Sequence, residues 1–148
     1  MRPSLVNAPG RYYEESMPSR LEEILRMEDV LSQIAQEVGL PEERTSLFVV
    51  AVTEALSNAI LHGNRQDPSR SVHVRFRYLP AQDSSTPAKL RVEVEDEGPG
   101  FDPSSLPDPT EEKNLLRESG RGIFLMRHLA DLVEFHKGGR CVVLEFLL

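Results

Sequence analysis

The sequence predicts an α/β (α+β) two-layer sandwich: a mixed, mostly antiparallel sheet with helices on one face. Three observations predict it. Apolar residues recur at helical spacing over residues 21–38 and again from Pro41 to about His62. They then alternate with polar residues over 72–78 and 90–94, and two more strand-like runs close the chain. The resulting order is strand, two helices, two strands, a long irregular segment, a helix and two strands, which lets the helices share one face of one sheet.

Residues 1–10 read as a flexible tail and 11–17 as a first strand. Ser19-Arg20-Leu21-Glu22 has the S-x-x-E form of a capping box. Behind it Leu21, Ile24, Leu25, Leu31, Ile34, Ala35 and Val38 make a helix that Gly39 can end. Pro41 suits the first turn of the second helix, with Glu42 and Glu43 near its positive end. Phe48, Val52, Leu56 and Ala59 fall on one side of that helix and Leu47, Val50 and Leu61 on the other, so it is apolar nearly all round and should be largely buried. Val72, Val74, Phe76 and Tyr78, then Leu90, Val92 and Val94, give two strands close enough to pair antiparallel across a polar connector at 80–87. From Glu97 the pattern stops. The segment to about Ser119 carries Pro99, Pro103, Pro107 and Pro109, is long for a small domain and has the character of a lid. Gly120-Arg121-Gly122 opens a helix holding Ile123, Met126, Leu129 and Ala130. Residues 132–135 and 141–148 are strands joined by a turn at Gly138-Gly139.

The 148 residues fit one domain and can bury a core without staples. With 17 Lys+Arg against 24 Asp+Glu, the net charge of −7 argues against a nucleic-acid footprint or adhesion to an anionic membrane. It does not exclude an anionic ligand, which backbone N–H groups and a metal ion can bind. Cys141 is the single cysteine, so no intrachain disulfide or cysteine metal pair forms and a reducing, cytoplasmic setting is expected. The N-terminus does not have the pattern of a secretory signal. The apolar stretch 47–61 is interrupted by Thr53, Glu54, Ser57 and Asn58 and does not read as a membrane span.

Three places depart from a plain core pattern. Glu54 and Asn58 stand at i and i+4 on an otherwise apolar helix, where an ionised carboxylate is costly unless paired, hydrogen-bonded or facing a polar cavity. One reading pairs Glu54 with an arginine of another element, Arg44 and Arg65 being nearest in sequence. The other makes a functional pair, in which the amide oxygen is a hard ligand for Mg²⁺ and the carboxylate orients or deprotonates a hydroxyl. Asp96 continues the face of Leu90, Val92 and Val94, so the apolar side of that strand ends in an acid. This is either a strand end running into a turn, or a carboxylate at a pocket mouth that accepts from an amino group, with Gly98 and Gly100 letting a flat ligand approach. Gly120-Arg121-Gly122 is either a plain helix start or a phosphate-binding N-terminus, with Arg117 and Arg121 adding cations. His62 reads as a helix-terminal packing residue and Cys141 as a small hydrophobe. Ser57, Ser104 and Ser119 show no His–Asp partnership.

The order of these elements is more specific than any one of them. Residues 54–64, E-A-L-S-N-A-I-L-H-G-N, resemble the N box of ATPases with the Bergerat fold, the superfamily that includes gyrase and the histidine kinases. Residues 96–101, D-E-G-P-G-F, resemble its G1 box, and 120–126, G-R-G-I-F-L-M, its G2 box. The E-A-x-x-N-A-x-x-H-G form is similar to that of the anti-sigma factor serine/threonine kinases, and the resemblance covers about residues 11–147.

That resemblance implies a histidine-kinase-like ATPase domain over 11–148 with an ATP lid at 102–119, and ATP and Mg²⁺ as cofactors. It implies Glu54 as the general base toward a protein hydroxyl and Asn58 as the Mg²⁺ ligand. Asp96 would accept from the adenine amino group, with Gly98 and Gly100 shaping the base pocket. His62, Phe101 and Ile123 join the ATP contacts, Gly120, Arg121 and Gly122 meet phosphate, and Arg117 or Arg121 reaches the terminal phosphate. One position departs from the family: Gly139 is followed by Arg140 where members often carry Thr. The implied function is an ATP-dependent protein serine/threonine kinase that acts as an anti-sigma factor, phosphorylating a small anti-sigma antagonist and sequestering a sigma factor. The alternative is a nucleotide-regulated binding module of a partner-switching circuit without phosphotransfer. A cytoplasmic homodimer is expected, with the 11–17 strand and the first helix as contacts, and neither nucleic acid nor membrane as partner.

Overall fold

The computed structural model describes residues 11–99 and 118–148. Strand β1 (Tyr12–Pro18) is followed by helices α1 (Glu22–Glu37) and α2 (Glu42–Asn58), and α2 runs on into a π-helical turn at Ala59–Gly63. Strands β2 (Ser71–Leu79) and β3 (Lys89–Glu95), helix α3 (Glu118–Leu129), and strands β4 (Leu132–His136) and β5 (Cys141–Leu147) complete the described chain. The five strands form one sheet in the order β1-β2-β3-β5-β4. A mixed sheet is expected from the sequence, but every pairing among the described strands is antiparallel. The expected tail at 1–10 and the lid residues 102–117 lie outside the described residues. Glu118 and Ser119, expected at the end of the lid, already belong to α3.

The period-two pattern becomes the pleat of the sheet. Val72, Val74 and Phe76 of β2, Leu90, Val92 and Val94 of β3, and Val142, Leu144 and Phe146 of β5 point to the helical layer and are buried. Register places Val74 opposite Val94, which in turn faces Val142. Against them α2 presents Phe48, Ala51, Val52, Ala55 and Leu56, all at most 1% exposed. Phe48 meets Phe146 edge to face, with centroids 4.9 Å apart. Helix α2 is the middle of the layer, packing on α1 to one side and α3 to the other. The helical stretch Glu42–Gly63 is long and apolar enough to cross a membrane by length and composition. Here it is the helix around which the core is built.

Two local expectations are corrected. The second helix is less buried than expected: Leu47 and Val50 are 45% and 41% exposed, because only two neighbouring helices and the sheet cover it. The capping box does not form either, since Leu21 holds the cap position of α1 without a side-chain hydrogen bond. Ser19 is buried and its hydroxyl donates to the carbonyl of Arg70 at 2.7 Å. The end of α1 follows expectation. Gly39 takes φ +78°, and the Leu40 N–H reaches back to the Ala35 carbonyl at 2.9 Å, a Schellman closure that suits glycine.

Candidate active site

The site lies where the end of α2, the end of β3 and the start of α3 meet over the last two strands. A cavity of about 250 Å³ opens there. Its walls are Ala55, Ala59, Val94, Ile123, Met126 and Val142, and its polar groups come from Asn58, His62, Asp96 and Arg140. Apolar walls with a few convergent polar groups are what a flat, partly polar ligand requires.

Asp96 stands at the floor of this cavity because it is the next inward position after Leu90, Val92 and Val94. It is 8% exposed. Its Oδ1 accepts from the Gly98 N–H at 2.8 Å, and its own N–H donates to the Arg140 carbonyl at 2.9 Å. Burial pushes the carboxyl above its ordinary range, while the Gly98 hydrogen bond and the Arg140 charge pull the other way. Two glycines make room for it. A Cβ at Gly98 would lie 1.8 Å from the Gly63 carbonyl oxygen, so the two backbones touch directly. Gly63 must be bare for a different reason: a Cβ there would run into the Asp96 side chain.

The α2 helix brings Glu54 and Asn58 to the opposite wall. Both are half-buried. A Cβ at Gly122 would come 3.0 Å from Glu54 Oε2 and 3.2 Å from Asn58 Nδ2, so both side chains lie against the first turns of α3. No cation pairs with Glu54 among the described residues. Arg44, the nearest upstream, donates instead to Asp131 at 3.0 Å and to the Leu147 carbonyl. Arg44 is thus not a partner of Glu54, and no arginine of another element pairs with it among the described side chains.

Of the expected residues, Asn58, His62, Asp96 and Ile123 line the cavity, Glu54 and Gly122 stand beside Asn58, and Gly98 lies on Asp96. Gly120 and Arg121 stand in the first turn of α3, two residues further into that helix than the sequence suggests. Gly100, Phe101 and Arg117 lie outside the described residues. Sequence reasoning misses Gly63, Met126 and Phe135 as lining residues. Met126 and Phe135 read as ordinary core, and Gly63 as the end of a helix. Cys141 is buried as expected, on the outer face of the sheet, where burial raises its thiol and Arg75 Nη2 lies 3.9 Å from its sulfur.

Residues 17–146 match the model of the histidine kinase-like ATPase domain, and the chain belongs to that family. Among curated relatives it is 28% identical over 144 residues to the serine-protein kinase RsbW of Bacillus subtilis, spanning 92% of this chain and 86% of that one. It is 30% identical over 128 residues to the serine-protein kinase RsbW of Bacillus licheniformis, spanning 82% of this chain and 76% of that one. The RsbW of Listeria monocytogenes is 30% identical over 112 residues, 72% of this chain and 67% of that one. Among solved structures, a histidine kinase domain from Erythrobacter litoralis is similar with a TM-score of 0.46 and 20% identity, over 86% of this chain and 59% of that chain.

Proposed function

We propose that the chain is an ATP-dependent protein serine/threonine kinase acting as an anti-sigma factor, which phosphorylates a small anti-sigma antagonist and sequesters a sigma factor. The observation that carries the reading is the pair Glu54 and Asn58, set side by side against Gly122 and opposite Asp96, with no cation to neutralise the acid among the described residues. Its relatives are named serine-protein kinases.

The residues divide the work. Asp96 Oδ2, the oxygen not engaged by Gly98, accepts from the adenine amino group, and the apolar walls take the faces of the base. With α3 beginning at Glu118, its free N–H groups are those of the first turn, so Gly120 offers one to phosphate, while Arg121 and Gly122 stand within the hydrogen-bonded helix and Gly122 leaves space beside Asn58. The Asn58 amide oxygen, half-buried beside a carboxylate and opposite a bare glycine, fits a hard cation and would hold Mg²⁺. When bound, that ion supplies charge neutralisation on the phosphates. Glu54 accepts the proton of the incoming serine or threonine hydroxyl. The hydroxyl oxygen forms its bond to the γ-phosphorus as the bond to the β–γ bridging oxygen breaks, and ADP leaves with that electron pair. Residues 100–117 complete the ATP contacts through Gly100, Phe101 and Arg117. The outer edge of β1 is unpaired among the described strands, and Leu21 and Leu25 beside it are 43% and 71% exposed. Both features support a homodimer formed through β1 and α1. The single cysteine and the acidic charge support a cytoplasmic location.

The test is Glu54→Gln. The variant should bind Mg-ATP as the parent does and leave the antagonist unphosphorylated; full transfer would remove Glu54 from the base role. Arg140 in the cavity wall favours a second reading, a nucleotide-regulated binding module without phosphotransfer. Labelled ATP and the cognate antagonist separate the two, because only the kinase yields labelled protein.

A further inference from the structure

Asn64 has no role in the chemistry above, yet its side chain makes three hydrogen bonds to other parts of the chain. It is 0% exposed. Its Nδ2 donates to Ser19 Oγ at 2.7 Å and to the Ser71 carbonyl at 2.9 Å. Its Oδ1 accepts from the Glu97 N–H at 2.7 Å. An Asn can make four such bonds, and three are made to three different segments: the β1–α1 junction, the start of β2 and the loop after β3.

The placement follows from the π-helical turn. The Asn64 N–H donates to the Ala59 carbonyl at 2.8 Å, five residues back. That wider turn sets Gly63 against Asp96 and sends the next side chain inward beneath the loop. Glu97 follows Asp96 directly, so a bond that fixes the Glu97 nitrogen fixes the peptide bearing the Asp96 carbonyl. Gly98, one residue on, holds Asp96 Oδ1. Asp96 is thus bracketed: the Arg140 carbonyl accepts its N–H, Asn64 Oδ1 accepts the Glu97 N–H, and Asp96 Oδ1 itself accepts the Gly98 N–H.

We propose that Asn64 is a positioning residue for base selection, which holds the loop so that the Asp96 carboxylate meets the amino group of adenine. The inference rests on the reading of Asp96 as the adenine acceptor. Only an amide suits the place. An ionised Asp could accept from Glu97 but could not donate to Ser19 or Ser71, and Ala would remove the bonds to all three, of which Ser19 is buried.

The experiment measures the affinity of the full chain, with Mg²⁺, for ATP and for purine riboside triphosphate, which lacks the 6-amino group. The parent should prefer ATP by about tenfold or more, as expected for a hydrogen bond to a charged group. Asn64→Ala should bring the ratio to within about threefold of unity by weakening ATP alone, because the analogue never used Asp96. Asn64→Asp should fall between. Ser19→Ala, which removes one partner of the amide from outside the site, should lower the ratio in the same direction and by less. If Asn64→Ala does not fold, Asn64→Asp and Ser19→Ala decide the matter. Equal losses for both nucleotides, or an unchanged ratio in the folded variants, would overturn the proposal, since a purely structural role moves both affinities together. A parent that binds both nucleotides equally would instead overturn the reading of Asp96, and this inference with it.

Discussion

Gly63 and Asp96 lie so close that a methyl group at position 63 would stand 2.2 Å from Asp96 Oδ2. The end of the second helix and the end of the third strand therefore share one volume, and glycine is what lets them. Gly63→Ala must displace either the carboxylate or the helix end. It should weaken ATP binding by about tenfold or more, the worth of a hydrogen bond to a charged group. Titration calorimetry against ATP checks this.

The buried Asp96 carboxylate carries a cost in stability. Its folded-state value lies above the ordinary 3.8, because burial disfavours the charged form. Between the ordinary and the raised value the folded state binds more protons than the unfolded chain, so stability falls as pH climbs through that window. At neutral pH the ionised carboxylate is a cost. Asp96→Asn keeps an acceptor for the Gly98 N–H and removes the charge. Its free form should melt at a higher temperature than the parent at neutral pH, with the advantage fading below 3.8, while ATP binding collapses. Thermal melts across pH, with and without ATP, read both effects.

Gly122 offers the converse test. Ala is favoured over Gly in a helix interior by about 0.5–1 kcal/mol, so Gly122→Ala should stabilise α3. The added Cβ would approach Glu54 Oε2 at 3.0 Å and Asn58 Nδ2 at 3.2 Å, and both must give way by a few tenths of an ångström. A misplacement of that order at reacting groups costs rate. The variant should be as stable as the parent or more so, with a phosphoryl transfer rate lowered about tenfold or more. Single-turnover transfer to the antagonist measures it.

The outer face of the sheet carries a separate load. Arg75 bonds Glu93 at 3.1 Å and Glu95 at 2.6 Å, and Lys137 joins at Glu95. Burial alone would raise both carboxyls, but hydrogen bonds from Arg75, with Arg91 on Glu93 and Lys137 on Glu95, hold them below the ordinary 4.5. Depressed values stabilise the fold above 4.5 and lose that contribution as pH falls through the lower folded values. Arg75→Ala should cost about 1–3 kcal/mol at neutral pH, the range for charge-assisted hydrogen bonds, and much less in acid. Denaturant unfolding at two pH values checks both arms.

Strands β2 and β3 were legible because each alternates over an apolar face, and Asp96 stood out because it interrupts that alternation at an inward position. Glu54 and Asn58 stood out for the same reason on α2. Other features leave no period to read. A bond from residue 64 to residue 59 has the same composition as an α-helical one, and Asn after Gly reads as an ordinary helix end. Ser19 followed by Glu22 satisfies the capping pattern locally, but the hydroxyl finds Arg70 and Asn64 from distant parts of the chain. The exposure of Leu47 and Val50 depends on how many elements cover α2, which spacing along a single helix does not encode.

The π turn also changes what a deletion does at this end of the molecule. In an α-helix each residue advances the next by about 100°. Deleting one residue between Ala59 and Gly63 would let the turn tighten into regular helix, and the Asn64 N–H would still meet the Ala59 carbonyl, four residues back instead of five. Asn64 would then keep nearly its direction toward Ser19, Ser71 and Glu97. The same deletion earlier in α2 would turn everything beyond it by about 100°. The wide turn is therefore a place where this helix can lose a residue and still deliver Asn64 to the loop.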